Sequence, residues 1–162
     1  MKQCRLLTII FSLTLILNAG SLNAAPVLWV GDIFGTLGTV DVATGDVTII
    51  GKMEKTMTDI AFDPSGNLYG IDGVRLYSID KTIAAITLIG GPVFANSLVF
   101  GSDGTLYTAT SSLLTVDPTT GSSTLIGSGG DPYNSSGDLA FIGGELYLSS
   151  VASLSDEFLR LI

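Results

Sequence analysis

Residues 59–90 read DIAFDPSGNLYGIDGVRLYSIDKTIAAITLIG, and this stretch decides the fold. Four short strand-like runs, 59–63, 68–72, 75–80 and 85–90, stand between turn signals. Pro64 presets φ and Gly66 supplies a positive φ in the first turn. Asp72-Gly73 is a second tight-turn signal. Sustained 3.6-residue apolar spacing is absent here and in the rest of the chain after residue 25, so the expectation is all-β.

The same pattern recurs on both sides. Thr48-Ile49-Ile50-Gly51 returns as Thr87-Leu88-Ile89-Gly90 and as Thr124-Leu125-Ile126-Gly127, 39 and 37 residues apart. An aspartate stands seven residues before each threonine: Asp41, Asp80 and Asp117. Leucine followed by an aromatic recurs at Leu28-Trp29, Leu68-Tyr69, Leu106-Tyr107 and Leu146-Tyr147. A run ending in phenylalanine recurs at Phe62, Phe100 and Phe141. Four strands per unit, at a period just under 40, fit the blades of a β-propeller better than the one-strand repeats of a solenoid.

On those residues the chain resembles secreted bacterial propellers of the NHL and lactonase/YncE-like repeat superfamily. The resemblance rests on the order (Asp/Ser)-aliphatic-(Ala/Val)-Phe, Gly-x-Leu-Tyr, Leu-x-(Ile/Val)-Asp, Thr-Leu-Ile-Gly. Residues 59–90 and 97–127 carry it in full. It implies a propeller fold and leaves function open, because propellers host enzymes and passive binders alike.

Counting units gives a β-propeller segment of about three and a half four-stranded blades, after an N-terminal signal peptide. Residues 28–51 supply strands two to four of a blade. Residues 57–90 and 94–127 supply two whole blades. Residues 137–162 are an incomplete fourth, with its third strand at 158–162 or ending near Asp156. A closed ring needs more. Three explanations stand side by side: a truncated propeller fragment with no independent function, a homodimer completing the propeller, or an arc that closes differently. An open arc exposes an apolar blade face, which invites association.

Residues 1–24 are expected to be a signal peptide. Lys2 and Arg5 form a basic start, residues 6–17 an apolar run, and residues 18–25 a small polar stretch. The run is shorter than the roughly 18 residues a membrane span takes. Residues 25–162 then form the mature chain, exported to the periplasm or the medium, with no membrane span expected in it. The only cysteine is Cys4, so no disulfide can staple that part.

Composition narrows the chemistry. The chain has 162 residues, 46% hydrophobic and 14% charged, which excludes a disordered class. Seven basic residues against fifteen acidic ones give a net charge of −8, so a nucleic-acid partner is not expected. There is no histidine. Ser–His and Cys–His catalysis and Cys/His metal sites are thereby excluded from the mature chain. Ca²⁺, held by oxygen ligands, is the one cofactor left open. Lactonase-like relatives hold a divalent cation in the channel, and the resemblance implies Asp59, Asn96 and Asp138 as candidates here. Each stands at the start of a first strand, where bonding to backbone is the plainer role.

The expected function is an exported, non-catalytic binding or interaction module with a protein or carbohydrate partner. The alternative is a Ca²⁺-dependent lactonase-like or lyase-like enzyme. A ligand site belongs on the face formed by the loops joining strand four to the next strand one and strand two to strand three. There the candidates are Lys55, Arg75, Asp131, Tyr133 and Asn134. Trp29, Tyr69, Tyr107 and Tyr147 share one repeat position, read as packing between blades, with sugar stacking as the sharper alternative. Asp41, Asp80 and Asp117 read as turn caps. Ala84 replaces the glycine that ends the other two such turns, so a different turn is expected there.

Overall fold

The computed structural model describes residues 26–127, 133–151 and 156–162. The expected signal peptide and Asp131 lie outside them. The described residues form strands only, in four antiparallel meanders. The first sheet is β1 (Val27–Gly31), β2 (Thr36–Asp41) and β3 (Val47–Lys52). The second is β4 (Asp59–Phe62), β5 (Leu68–Ile71), β6 (Leu76–Ile79) and β7 (Ile86–Gly90). The third is β8 (Val99–Phe100), β9 (Leu106–Ala109), β10 (Leu113–Val116) and β11 (Ser123–Gly127). The fourth is β12 (Ser135–Ile142), β13 (Glu145–Val151) and β14 (Asp156–Arg160). This is an all-β, partial propeller, with the sheets as blades 1 to 4.

The edges of two blades differ from expectation. The first strand of blade 3 shrinks to two residues. Its upstream part is replaced by side-chain bonds, in which the Ala109 N–H donates to Ser97 Oγ at 3.0 Å and the buried Thr108 hydroxyl donates to the Ser97 carbonyl. The third strand of blade 4 runs Asp156–Arg160 and pairs with β13 from Tyr147↔Arg160 to Val151↔Asp156.

Blade faces carry the core. Residues paired directly across strands share a face, and each internal face buries its apolar set against the next blade. Trp29, Leu37 and Ile50 of blade 1 pack with Leu68, Tyr77 and Ile79 of blade 2. Ile71 and Leu76 pack with Leu98, Leu106 and Val116 of blade 3. Ala109 and Leu113 pack with Leu139, Leu146 and Leu148 of blade 4. One aromatic pair crosses each junction: Trp29–Phe62 at 5.4 Å, Tyr69–Phe100 at 5.1 Å and Tyr107–Phe141 at 5.8 Å between ring centroids. The recurring aromatics in these three blades are thus inter-blade packing.

The Thr-Leu-Ile-Gly motif has a structural reason. In each of the first three blades the third and fourth strands slip register at one place, so Leu37 faces Gly51, Leu76 faces Gly90 and Leu113 faces Gly127. The isoleucine before each glycine is the extra residue of a β-bulge. Two of these glycines then touch the following blade's turn between third and fourth strands. A Cβ on Gly51 would lie 2.9 Å from the Ile83 carbonyl oxygen, and one on Gly90 only 2.0 Å from that of Thr120.

Those turns share one form. The N–H groups of Gly45, Ala84 and Gly121 donate to the carbonyls of Asp41, Asp80 and Asp117 at 2.8, 2.9 and 2.8 Å. The aspartate Oδ1 atoms accept from Ala43, Thr82 and Thr119 N–H. Turn capping is therefore what this acidic series does. The turn at Ala84 does not differ, contrary to expectation: Ala84 itself adopts the left-handed conformation at φ 58°, matching the glycines. Its methyl is fully buried, in contact with the Gly51 junction, and that packing holds the strained backbone.

Candidate functional site

Each loop that crosses from one blade to the next binds to the turn it passes. Met53 N–H donates to the Gly35 carbonyl at 2.7 Å, Val93 to Val74 at 2.8 Å and Ser135 to Thr110 at 2.8 Å. Each loop also buries apolar side chains between the blades, the first of them at an equivalent place in each loop. Met53, Val93 and Tyr133 are 2%, 5% and 4% exposed and belong to the three successive core clusters. Tyr133 is thus a junction plug, with its hydroxyl donating to the Gly127 carbonyl at 3.3 Å, rather than a residue presented to a ligand. The sequence did carry a signal for this, since positions 53, 93 and 133 are evenly spaced. Their chemistries differ too much to show as a motif.

On the same face, Asp72 bonds to the Lys55 side chain and to the Arg75 main-chain N–H. Asp72 Oδ1 accepts the Val74 and Arg75 N–H groups at 3.0 and 2.8 Å. Its Oδ2 accepts the Tyr77 hydroxyl at 2.9 Å and lies 3.5 Å from Lys55 Nζ. The ammonium stands 6.0 Å from the centre of the Tyr77 ring, at cation–π range. Burial pushes the Asp72 carboxyl up, but the Arg75 N–H, the Tyr77 hydroxyl, the Val74 N–H and the Lys55 charge hold it below the usual range. Asp72 is therefore an anion anchored by the turn, and it fixes a half-exposed lysine beside an exposed arginine. Sequence reasoning found the two cations but not Asp72, which read there as a turn residue, nor Tyr77, which lay within the strand-like run 75–80.

Asn134 is exposed at the junction of blades 3 and 4, where its N–H donates to Ser150 Oγ at 3.3 Å. It sits two junctions away from Lys55, so the expected ligand residues do not converge on one spot.

Asp59, Asn96 and Asp138 sit along the first strands. Asp59 Oδ1 accepts the Ile60 N–H at 2.7 Å and Oδ2 accepts the Leu98 N–H of blade 3 at 2.6 Å. Asn96 Nδ2 donates to the Ser135 carbonyl of blade 4 at 3.0 Å. Both side chains thus stitch one blade's inner edge to the next. Burial raises Asp59 to about 7, against the two N–H bonds that lower it, and the Asp138 charge adds to the rise. Asn96 Oδ1 is buried and has no partner among the described residues. For Ca²⁺, which takes about six to eight oxygens, one spare amide oxygen and Asp138 beside a committed carboxylate are too few. No group of three or more acidic or Cys side chains able to hold a metal stands among the described residues.

Sequence reasoning missed two open clefts, one within blade 2 and one between blades 3 and 4. One, of about 580 Å³, is lined by Asn67, Tyr69, Ser78, Asp80, Lys81 and Thr82 among others. The other, of about 550 Å³, is lined by Phe100, Asp103, Tyr107 and Phe141 among others.

No protein family and no curated protein matches this chain. Solved propeller-type structures do match in fold. One is a protein of unknown function from Bacteroides thetaiotaomicron VPI-5482, at TM-score 0.62 and 16% identity, over 75% of this chain and 41% of that one. Another is the extracellular domain of a one-component system from B. thetaiotaomicron, at TM-score 0.52 and 18% identity, over 84% of this chain and 21% of that one. A third is an auxiliary nutrient binding protein from Bacteroides ovatus ATCC 8483, at TM-score 0.53 and 16% identity, over 75% and 32%. The chain spans less than half the length of each. At these identities the likeness is one of fold. No helix among the described residues is long and apolar enough to cross a membrane.

Proposed function

We propose that this chain is an exported, non-catalytic binding module, and that the Lys55–Asp72–Arg75 corner of its loop face carries recognition. One observation supports this reading above the others. The corner holds a carboxylate anchored by main-chain bonds, a lysine paired with it near a tyrosine ring, and an exposed arginine whose N–H bonds to the same carboxylate. Such a corner suits a protein or carbohydrate ligand bearing carboxylates and hydroxyls, because Arg and Lys bind carboxylates as charge-assisted donors. Two of the similar structures are named as the extracellular domain of a one-component system and an auxiliary nutrient binding protein, which agrees with an exported binder.

The test is calorimetric titration of the purified chain with oligogalacturonates and with acidic peptides. Lys55→Ala with Arg75→Ala is expected to weaken binding at least about tenfold. The melting point should barely move, since an exposed ion pair contributes about 0–1 kcal/mol. Equal affinity of parent and double variant for a probe that binds would sink the assignment, as would failure of every probe to bind the parent.

A further inference from the structure

We infer that Phe94 extends the Lys55–Asp72–Arg75 corner into an interaction surface for a protein partner, one whose acidic segment carries an apolar side chain between its carboxylates. This rests on the reading of that corner as the recognition site and adds the class of ligand.

Phe94 stands in the loop that crosses from blade 2 to blade 3, between Val93 and Ala95, which are both buried in one core cluster. Burial of both neighbours turns residue 94 outward, and its side chain is 63% exposed. Its backbone is left-handed, at φ 51°. Ala84, the other non-glycine residue with such a backbone among the described residues, is held there by a methyl buried against the Gly51 junction. Phe94 has no such compensation. A bulky residue costs more in that conformation than glycine or asparagine. Its exposed ring also leaves apolar area in water that a partner would cover. The buried Met53 and Tyr133 of the neighbouring loops are followed by exposed polar residues, Glu54 and Asn134. The fold therefore asks for no phenylalanine at 94. Strain and exposed apolar surface together mark a place where function sets the residue.

The loop is seated on the corner. The Val93 N–H donates to the Val74 carbonyl at 2.8 Å. A Cβ on Gly91 would lie 3.0 Å from that oxygen, 3.3 Å from Arg75 Cα and 3.4 Å from Arg75 Cγ, so the stem of the arginine runs beside the start of the loop. Val74 is itself 39% exposed. Phe94 thus follows by one residue the bond to the turn that carries Val74 and Arg75, with Lys55 paired to Asp72 at the start of the same turn.

Charge chooses the partner. The chain has only seven basic residues against fifteen acidic ones, and Lys55 and Arg75 stand together here. Cations beside an aromatic ring are met best by carboxylates flanking an apolar side chain. A uronate chain offers the carboxylates without the apolar anchor, whereas a peptide offers both. Aromatic and arginine residues are also the commonest anchors of protein interfaces.

Calorimetric titration of the purified chain with two end-blocked peptides, Asp-Glu-Leu-Glu-Asp and Asp-Glu-Gly-Glu-Asp, tests this. The parent is expected to bind the leucine peptide about fivefold tighter or more. Phe94→Asn should abolish that preference and leave binding of the glycine peptide and of oligogalacturonate unchanged. It should unfold in urea at the parent's midpoint or higher, because asparagine accepts a left-handed backbone. Equal affinity of the parent for both peptides, or a preference that survives Phe94→Asn, overturns the inference. The corner reading stands in that case if Arg75→Ala still weakens both. A lower urea midpoint for Phe94→Asn also overturns it, since the ring would then serve the fold. So does a loss of oligogalacturonate binding in that variant, which would make the ring a sugar platform. Failure of both peptides and of oligogalacturonate to bind the parent sinks the corner reading and this inference with it.

Discussion

Ala84 and Gly121 hold the same left-handed turn position, yet they should answer opposite substitutions very differently. Replacing Ala84 by glycine relieves about 1–2 kcal/mol of left-handed strain. It also removes a buried methyl worth about 0.8 kcal/mol and loosens the unfolded chain by about 0.5–1 kcal/mol. Urea unfolding should therefore place Ala84→Gly within about 1 kcal/mol of the parent. Gly121→Ala adds the same strain and drives a Cβ to 2.6 Å from the Gly90 backbone. Its cost should exceed about 2 kcal/mol, and equal midpoints for the two variants would refute this account. At this scale much was legible. The aspartate caps, the turn glycines and the aromatic packing all followed from spacing. Ala84 was misread because sequence shows the missing glycine but not the packing that compensates for it. Tyr133 was misread because a loop tyrosine looks like a ligand contact until its burial is seen.

Among the elements, the first strands are the least regular, from two residues in β8 to eight in β12, and Asp59 sets their response to pH. It holds its proton more tightly in the fold, at about 7, than in the unfolded chain, at 3.8. Stability from this group is thus full at low pH and is lost as pH rises through that interval. The capped Asp32, Asp63, Asp80, Asp103 and Asp117 are shifted downward by bonds from their own turns, so what they contribute is lost as pH falls. The melting point should therefore peak between these limits. Asp59→Asn should flatten the decline between about pH 4 and pH 7, and an unchanged slope in that variant would exclude Asp59 as its cause. Strand order was readable from the turn chemistry. The shortening of β8 was not, because it depends on where the hydroxyls of Ser97 and Thr108 bond after folding. The corner at Lys55 was half readable for the same reason: the cations announce themselves, but the carboxylate that fixes them is known only by its partners.

Taken whole, the molecule is a row of sheets in which each touches only its neighbours, so stability is a sum of blade and junction terms. Among the described residues, blades 2 and 3 have both faces covered and blades 1 and 4 only one. Amide hydrogen exchange of dilute protein should be slowest in β5, β6, β9 and β10 and fastest in β1 and β14. Equal exchange rates in the middle and the end sheets would refute this account. Unit count and blade order could be read from the repeat, whereas the close approach of one blade's glycine to the next blade's turn needed the structure. The glycine junctions have a last consequence. Where Gly90 meets Thr120 and Gly121, one main chain rests on another, and no side chain of either unit takes part in that touch. Such a joint is indifferent to what the adjoining unit is made of. Units of this kind can be duplicated, deleted or exchanged by recombination between the glycines, and the seam will still fit.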